Sequence, residues 1–323
     1  MKGFFNFFLA NHELYGIIAL ILLVLFLIIL RIIKLKKIPK DKVSINQAPE
    51  FRDKFILTRD QYQLKIYQQI NQKSNVIIVG IHDLQGQKDD FKFLSNLCYQ
   101  EQWSLIAYDR RGVGKNLTDW KFQSLNTDIN DTKDVVKAIK TKYPNHKIIL
   151  FGEAIGACIA SSACQDNQQV DGLIISNLIT KNNLYPFSLL LFFKVIIAFF
   201  FNRNVKLPIY IEPEDISNNN AYITNMKQRY TLKQVWSLNF LWQFKQLNKK
   251  TPKIIRNLTQ PTLILQSGDD VFSDFHQLRV LNKKWKPHQK YHFIFTGKHA
   301  LINEPEIKDI FKTEIQPWVV NVV

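Results

Sequence analysis

Short apolar runs alternate with amphipathic stretches through most of the chain. Val76 to Gly80 and Ile148 to Phe151 are continuous apolar runs, which is typical of strands buried on both faces. Between such runs, apolar residues recur at helical spacing, as in Asp131 to Lys140. The other predicted strands are a hairpin of Phe55 to Leu57 with Gln63 to Tyr67, and Ser104 to Tyr108, Leu173 to Ser176, Thr262 to Leu265 and His292 to Phe295. Strands that alternate with helices predict an α/β fold with a mostly parallel, doubly wound sheet.

This alternation fails between about residues 180 and 258, which predicts a helical cap inserted into the sheet domain. The cap region opens with an apolar run from Leu189 to Phe201 that is interrupted by Lys194. Two interpretations stay open for this run. It is either a buried helix of the cap or a helix that lies on a membrane surface.

The longest apolar run precedes the sheet pattern and extends from Tyr15 to Ile33. At about 1.5 Å per residue, a helix of this length nearly crosses the hydrocarbon core of a bilayer. A cleaved signal peptide is the alternative, but the run is long for one and no small-residue cleavage site follows it. We therefore expect a short segment at 1–14, a transmembrane helix at 15–33, a basic linker at 34–52 and a globular domain at 53–323.

The charge around this run predicts its orientation. Six cations follow within a few residues, against Lys2 alone before it: Arg31, Lys34, Lys36, Lys37, Lys40 and Lys42. By the positive-inside rule, the long C-terminal part faces the cytoplasm. The three cysteines, which lack metal-ligand spacing, are then expected to be small buried hydrophobes in a reducing compartment.

The whole chain of 323 residues carries a formal charge of +16, which favours an anionic partner. No acidic residue occurs from Ile216 to Gly268, where cations are interleaved with Trp236, Phe240, Trp242 and Phe244. Basic and aromatic residues together suit a lipid interface and equally a single-stranded nucleic acid. The predicted membrane segment favours lipid, so we expect a membrane partner and no nucleic acid. The sequence does not indicate an oligomeric state.

The sequence around residue 154 carries the clearest chemical signal. The apolar run ending at Phe151 is followed by Gly152-Glu153-Ala154-Ile155-Gly156 and then by a small, apolar stretch that can start a packed helix. This strand–turn–helix pattern is that of a nucleophile elbow, Gly-x-Ser-x-Gly, in which a serine stands on a sharp turn. Ala154 occupies the serine position, and a methyl group cannot attack a carbonyl carbon.

Four further motifs occur in the order of a known family. Ile81-His82-Asp83-Leu84 follows a predicted strand, and Asp109-Arg110-Arg111-Gly112-Val113-Gly114 follows the next; Gln266-Ser267-Gly268-Asp269-Asp270 and Gly297-Lys298-His299 follow the last two. With the elbow, these motifs resemble the α/β-hydrolases of the monoacylglycerol lipase, lysophospholipase and serine aminopeptidase-like group, from about Phe55 to Val319. The resemblance implies the α/β-hydrolase fold, an acyl-enzyme route on a lipid-like ester, and no metal or other cofactor.

The resemblance also implies a role for six residues. Ala154 stands at the nucleophile position, Asp270 is the triad acid and His299 is the base, because an imidazole acts as a base only when a carboxylate holds its other nitrogen. Asp269, the rival acid, is expected to be a solvated turn residue. The backbone N–H groups of Leu84 and Ile155 are the expected oxyanion donors. Asp83 replaces a glycine of the family's oxyanion loop and would bring negative charge to the place where an oxyanion develops.

Three hypotheses for the function follow. In the first, the chain is a membrane-anchored hydrolase-fold pseudoenzyme that binds a lipid-like acyl ligand or a partner. In the second, it is an ordinary serine hydrolase in which alanine has been substituted for the nucleophile, but Asp83 speaks against that. The third, a basic nucleic-acid-binding module, has only the charge in its favour.

Overall fold

The computed structural model describes residues 12–35, 47–116, 124–180, 206–209, 211–230, 235–294 and 296–323. The chain divides into two compact units. One consists of residues 1–40 and 187–205, and the other of residues 41–186 and 206–323. The predicted apolar run from Leu189 to Phe201, most of the segment 1–14 and much of the linker at 34–52 lie outside the described residues.

In the first unit, helix α1 extends over His12–Leu35. Its large apolar side chains are exposed along much of its length, from Ile17 to Leu30. The predicted helix is therefore present. Within the part of the chain that the structure describes, however, no helix is long and apolar enough to cross a membrane, so the structure does not support the transmembrane assignment of residues 15–33.

The second unit is built on a nine-stranded sheet with the order β1-β2-β3-β5-β4-β6-β7-β10-β11. The strands from β4 onward pair in parallel, and β1, β2 and β3 form an antiparallel edge. The strands are β1 (Glu50–Phe51), β2 (Phe55–Leu57), β3 (Gln63–Gln69), β4 (Val76–Ile81), β5 (Ser104–Tyr108), β6 (Lys147–Glu153), β7 (Gly172–Ser176), β10 (Thr262–Ser267) and β11 (Gln289–Ile294).

The predicted strands are all present, and the main sheet has one addition. Glu50–Phe51, which the sequence assigned to the linker, forms β1 and pairs with β2, so that Glu50 lies opposite Leu57. Two residues are too few to show a period of two, so only the pairing with β2 reveals this strand. The last predicted strand begins earlier than expected, at Gln289.

Helices cover both faces of the sheet. The helices of the second unit are α2 (Lys92–Gln100), α3 (Leu125–Lys142), α4 (Ile155–Cys164), α5 (Pro213–Ile216), α6 (Asn220–Tyr230), α7 (Leu238–Asn257), α8 (Phe275–Asn282), α9 (Ile307–Ile310) and α10 (Gln316–Val322). Helices α3, α4 and α7 share one apolar core with the sheet, whereas α2, α9 and α10 belong to a second core on the opposite face. All three cysteines are buried in these cores, as predicted.

The described part of the predicted cap has two different halves. Strands β8 (Lys206–Pro208) and β9 (Val235–Ser237) pair with each other, separately from the main sheet. Helix α6 is tied to the main domain by an ion pair of 2.8 Å between Arg229 and Asp90. Helix α7 instead packs on α4 and α3, because its apolar residues recur on one side. The α7 part of the predicted cap therefore belongs to the core of the sheet domain.

Candidate active site

The turn between β6 and α4 has the geometry of a nucleophile elbow. Ala154 is fully buried at its tip with φ 52° and ψ −106°, a conformation that costs a residue with a Cβ on the order of 1–3 kcal/mol. The flanking glycines are required sterically. A Cβ on Gly152 would collide with the backbone of Gly156, and a Cβ on Gly156 would collide with the carbonyl oxygen of Ile81. The chain thus keeps a strained elbow although its tip carries only a methyl group.

The loops after β10 and β11 bring Asp270 and His299 together. The Nδ1–H of His299 donates to Oδ1 of Asp270 over 2.9 Å. Asp270 also accepts hydrogen bonds from the backbone N–H of Phe272 and the hydroxyl of Ser273. Burial would raise the pKa of Asp270, but His299 and these donors outweigh burial and hold the pKa below its usual value. Asp270 is therefore a carboxylate that fixes the tautomer of the imidazole, whereas Asp269 is exposed in the turn.

A residue that the sequence did not single out positions the loop of His299. Asn177, after β7, adopts a positive φ of 53°. Its side-chain amide donates to the carbonyl oxygens of Lys298 and His299 over 2.9 and 2.7 Å. Asparagine tolerates this backbone region better than most residues, and that preference is the only signal of this role in the sequence.

Asp83 points into the site and meets both halves of it. Its Oδ2 lies 3.4 Å from Nε2 of His299, and its Oδ1 accepts a hydrogen bond of 3.3 Å from the backbone N–H of Ile155. Burial would raise the pKa of Asp83, but His299 and the backbone N–H groups of Leu84 and Ile155 lower it further than burial raises it. The Asp83 carboxylate thus occupies the predicted oxyanion donor at Ile155 and lies against the base.

The two carboxylates decide the protonation of His299. Burial would lower the pKa of this imidazole, but the charges and hydrogen bonds of Asp270 and Asp83 raise the pKa well above its usual value. His299 is therefore an imidazolium at neutral pH, with an aspartate facing each nitrogen. A protonated imidazole cannot accept a proton from a nucleophile.

Hydrogen bonds to its own backbone hold Asp83 in this position. His82 is fully buried, and burial lowers its pKa well below the usual value, so the ring is neutral. Its Nε2 accepts from the backbone N–H of Arg110, so Nδ1 carries the proton and donates to the carbonyl oxygen of Asp83 over 2.7 Å. The guanidinium of Arg110 donates to the same carbonyl over 3.0 Å and forms a buried ion pair with Asp128. The peptide of residue 83 is therefore fixed from two sides.

A small pocket opens beside the imidazole. It has an empty volume of about 310 Å³, open solvent included, and its lining includes Asp83, Gln85, Glu153, Tyr222, Met226 and His299. Glu153, the residue before the tip of the turn, also lines this pocket, which the sequence did not indicate. Burial, and then the nearby charge of Asp83, raise its pKa well above the usual value. A carboxyl group that ends a buried apolar strand was the signal that could have identified it.

The structure therefore brings all six predicted residues to one edge of the sheet. Ala154 and Ile155 form the elbow, Asp270 and His299 face it, and Asp83 and Leu84 enter from the loop after β4. Among the described residues, no group of histidine, cysteine and acidic side chains could hold a metal ion. What the arrangement contains is a buried Asp–His–Asp ion cluster in the position of a triad.

A known protein family and a viral protein resemble this chain in sequence. A family model described as "Serine aminopeptidase, S33" matches residues 72–306. The "Monoglyceride lipase homolog" of Monkeypox virus is 25% identical over 228 residues, which cover 67% of this chain and 79% of that protein.

Solved structures resemble the fold. The monoacylglycerol lipase of Paleococcus ferrophilus superposes with a TM-score of 0.67 at 16% identity, covering 81% of this chain and 100% of that chain. A soluble variant of monoglyceride lipase from Saccharomyces cerevisiae, solved with a substrate analogue, gives a TM-score of 0.68 at 15% identity, with 88% of this chain and 99% of that chain covered. At such identities the likeness establishes the fold alone.

Proposed function

The chain belongs to the serine aminopeptidase S33 family, in the monoacylglycerol lipase-like group of α/β-hydrolases, and we propose that it is a member whose ester-hydrolysing site is closed by its own Asp83. In this proposal the protein is a pseudoenzyme towards esters. It uses the hydrolase fold to bind a lipid-like acyl ligand or a partner.

One observation carries the proposal, namely the position of the Asp83 carboxylate between Nε2 of His299 and the backbone N–H of Ile155. Hydrolysis through an acyl-enzyme needs a nucleophile, a base with a free nitrogen and empty donors for the developing oxyanion. Ala154 lacks the nucleophile. Asp83 engages the base and the oxyanion donor at Ile155 at the same time, so all three requirements fail, two of them through this one side chain.

The alternative is an active serine hydrolase in which alanine has been substituted for the nucleophile. The strained backbone of Ala154 favours it, because nothing in the chemistry of alanine calls for a positive φ. Asp83 argues against it, since the exchange of serine for alanine at the elbow does not explain a carboxylate on the oxyanion donor at Ile155.

Labelling the protein from its native source with a serine-directed fluorophosphonate separates the two. The pseudoenzyme should remain unlabelled under conditions that label a known serine esterase in the same sample. Labelling at residue 154 would establish the alternative.

For the ligand, we propose that the pocket beside His299 receives part of a lipid-like molecule. Its lining sets the apolar side chains of Ile211, Ile216 and Met226 beside the polar groups of Asp83 and His299, which suits a molecule with an apolar and a polar part. A non-hydrolysable monoalkylglycerol ether should therefore bind, and Met226→Trp, which fills the pocket, should weaken binding. Val280→Trp, at an exposed position, is the matched control. Equal binding by both variants would place the ligand elsewhere.

We further propose that α1 attaches the protein to a membrane, with the hydrolase domain in the cytoplasm. The exposed apolar side chains from Ile17 to Leu30 support the attachment, and the six cations from Arg31 to Lys42 support the orientation. A cysteine at position 42 should react with a membrane-impermeant maleimide only after the cells are opened. Reaction in intact cells would reverse the orientation.

A further inference from the structure

Helix α7 has one apolar face and one strongly basic face. The apolar face packs into the core through Phe240, Phe244, Leu247 and Ile255. The other face exposes five cations, here called the α7 basic face: Lys245, Lys249, Lys250, Lys253 and Arg256. At about 100° per residue, four of them fall within an arc of about 80°, along about 16 Å of helix. The cations therefore form a continuous stripe.

No carboxylate neutralises this stripe within the described residues. Helix α7 contains no acidic residue. It adjoins α3, whose three acidic side chains are buried in ion pairs of 3.0, 2.7 and 2.6 Å, namely Asp128–Arg110, Asp131–Arg111 and Asp134–Arg59. The exposed charged side chains of α3 are the cations Lys137 and Lys142. The exposed charge of these two packed helices is therefore entirely positive.

We propose that the α7 basic face docks onto an anionic phospholipid surface. A straight row of cations matches a flat anionic surface, and each cation near such a surface strengthens binding by about fivefold. The choice of a bilayer rather than a nucleic acid rests on the proposed attachment of α1 to a membrane. The docking itself rests on the charge of α7 and is tested separately.

A probe on the stripe reports docking directly. The three native cysteines are buried, so a fluorophore on Asn257→Cys, at an exposed position beside Arg256, labels one site. The full chain is reconstituted into vesicles of phosphatidylcholine, with or without phosphatidylserine. The fluorescence of the probe is then quenched with acrylamide, a neutral molecule whose access does not depend on the charge of the vesicle. We expect protection of the probe in the anionic vesicles only, and loss of that protection as salt rises.

Charge variants test the cause of the protection. Replacing Lys245, Lys249 and Lys253 together by glutamine should lower the protected fraction about tenfold or more. The control replaces Lys283, Lys290 and Lys312 by glutamine, which removes the same charge from exposed positions on other elements. We expect the probe to be protected to the same extent in the control variant as in the protein with its stripe unmodified.

Three results would overturn docking: equal protection in zwitterionic vesicles, no effect of the stripe variant, or protection by a single-stranded oligonucleotide in place of lipid. The last would make the stripe a nucleic-acid surface. Flotation of the protein with vesicles of either composition reports the attachment of α1 independently. If the protein floats with the vesicles but its probe is not protected, docking of α7 is refuted and the proposed attachment through α1 stands.

Discussion

The two halves of the candidate site have diverged to different degrees. The half after β10 and β11 has the arrangement of a working triad, because Asp270 holds Nδ1 of His299 at 2.9 Å. The half after β4 and β6 keeps the elbow backbone, yet its serine is Ala154 and its oxyanion donor at Ile155 is bound by Asp83. An intact acid–base pair is therefore not sufficient to infer catalysis, since the electrostatics of the opposite half decide what that pair can do.

The largest effect is expected when the acid–base pair after β10 and β11 is broken in a variant whose elbow and oxyanion site have first been restored. Ala154→Ser with Asp83→Gly supplies a hydroxyl and frees Nε2 of His299. In that background, Asp270→Asn should lower kcat on short-chain esters by about 10⁴, because the imidazole loses the correct tautomer. Asp269→Asn is the matched control and should leave kcat unchanged. Similar losses in both would mean that Asp270 is not the functional acid.

The second-largest effect is expected from changes to the half after β4 and β6 alone. Ala154→Ser with Asp83→Gly should hydrolyse short-chain esters about 10²–10³ times faster than Ala154→Ser, since loss of one oxyanion donor costs about that much. The unmodified chain should show no turnover above background. Equal rates for the two variants would show that Asp83 does not obstruct the site in solution.

The comparison also predicts how stability depends on pH. The folded pKa of His299 is raised, so its ion cluster stabilises the fold fully below the unfolded pKa of about 6.5 and loses that stabilisation as pH rises through the folded pKa. Urea unfolding of the unmodified chain should therefore show a free energy of unfolding that falls above neutral pH. In His299→Gln, the part of this fall in the free energy of unfolding that comes from deprotonation of His299 should be absent. Parallel pH profiles for the two proteins would contradict a charged His299.

The smallest effect concerns the strained tip of the elbow. Ala154→Gly should raise the free energy of unfolding by about 1 kcal/mol, because glycine adopts the positive φ of 52° without strain. Ala157→Gly, one turn further into α4, should lower it by about the same amount or more. Urea denaturation of both variants gives the sign. Destabilisation by Ala154→Gly would mean that the elbow stores little strain.

Local sequence patterns predicted the parts of the fold that depend on local chemistry. Continuous apolar runs predicted β4 and β6 because both strands are buried on each face. The spacing of Gly152 and Gly156 predicted the elbow, since only glycine fits where strand and helix backbones meet. The pairing of Asp270 with His299 followed from the motif order of the family.

What could not be predicted depends on contacts between distant parts of the chain. The backbone carbonyl of Asp83 is held by His82 and Arg110, and Arg110 comes from a different loop. The packing of α7 on the core likewise depends on its fit to α4, for example through the Cys158 thiol, 3.4 Å from the side-chain oxygen of Asn248. No period or motif encodes such contacts.

The central claim is that Asp83 lies against His299 and keeps the imidazole charged. Nitrogen NMR of the His299 ring across a pH titration tests this claim most directly, because the ring nitrogens report protonation without any assay of turnover. We predict an imidazolium that persists well above pH 6.5 in the unmodified chain, and a pKa that falls distinctly in Asp83→Asn. An imidazole that titrates near pH 6.5 in both proteins would contradict the account.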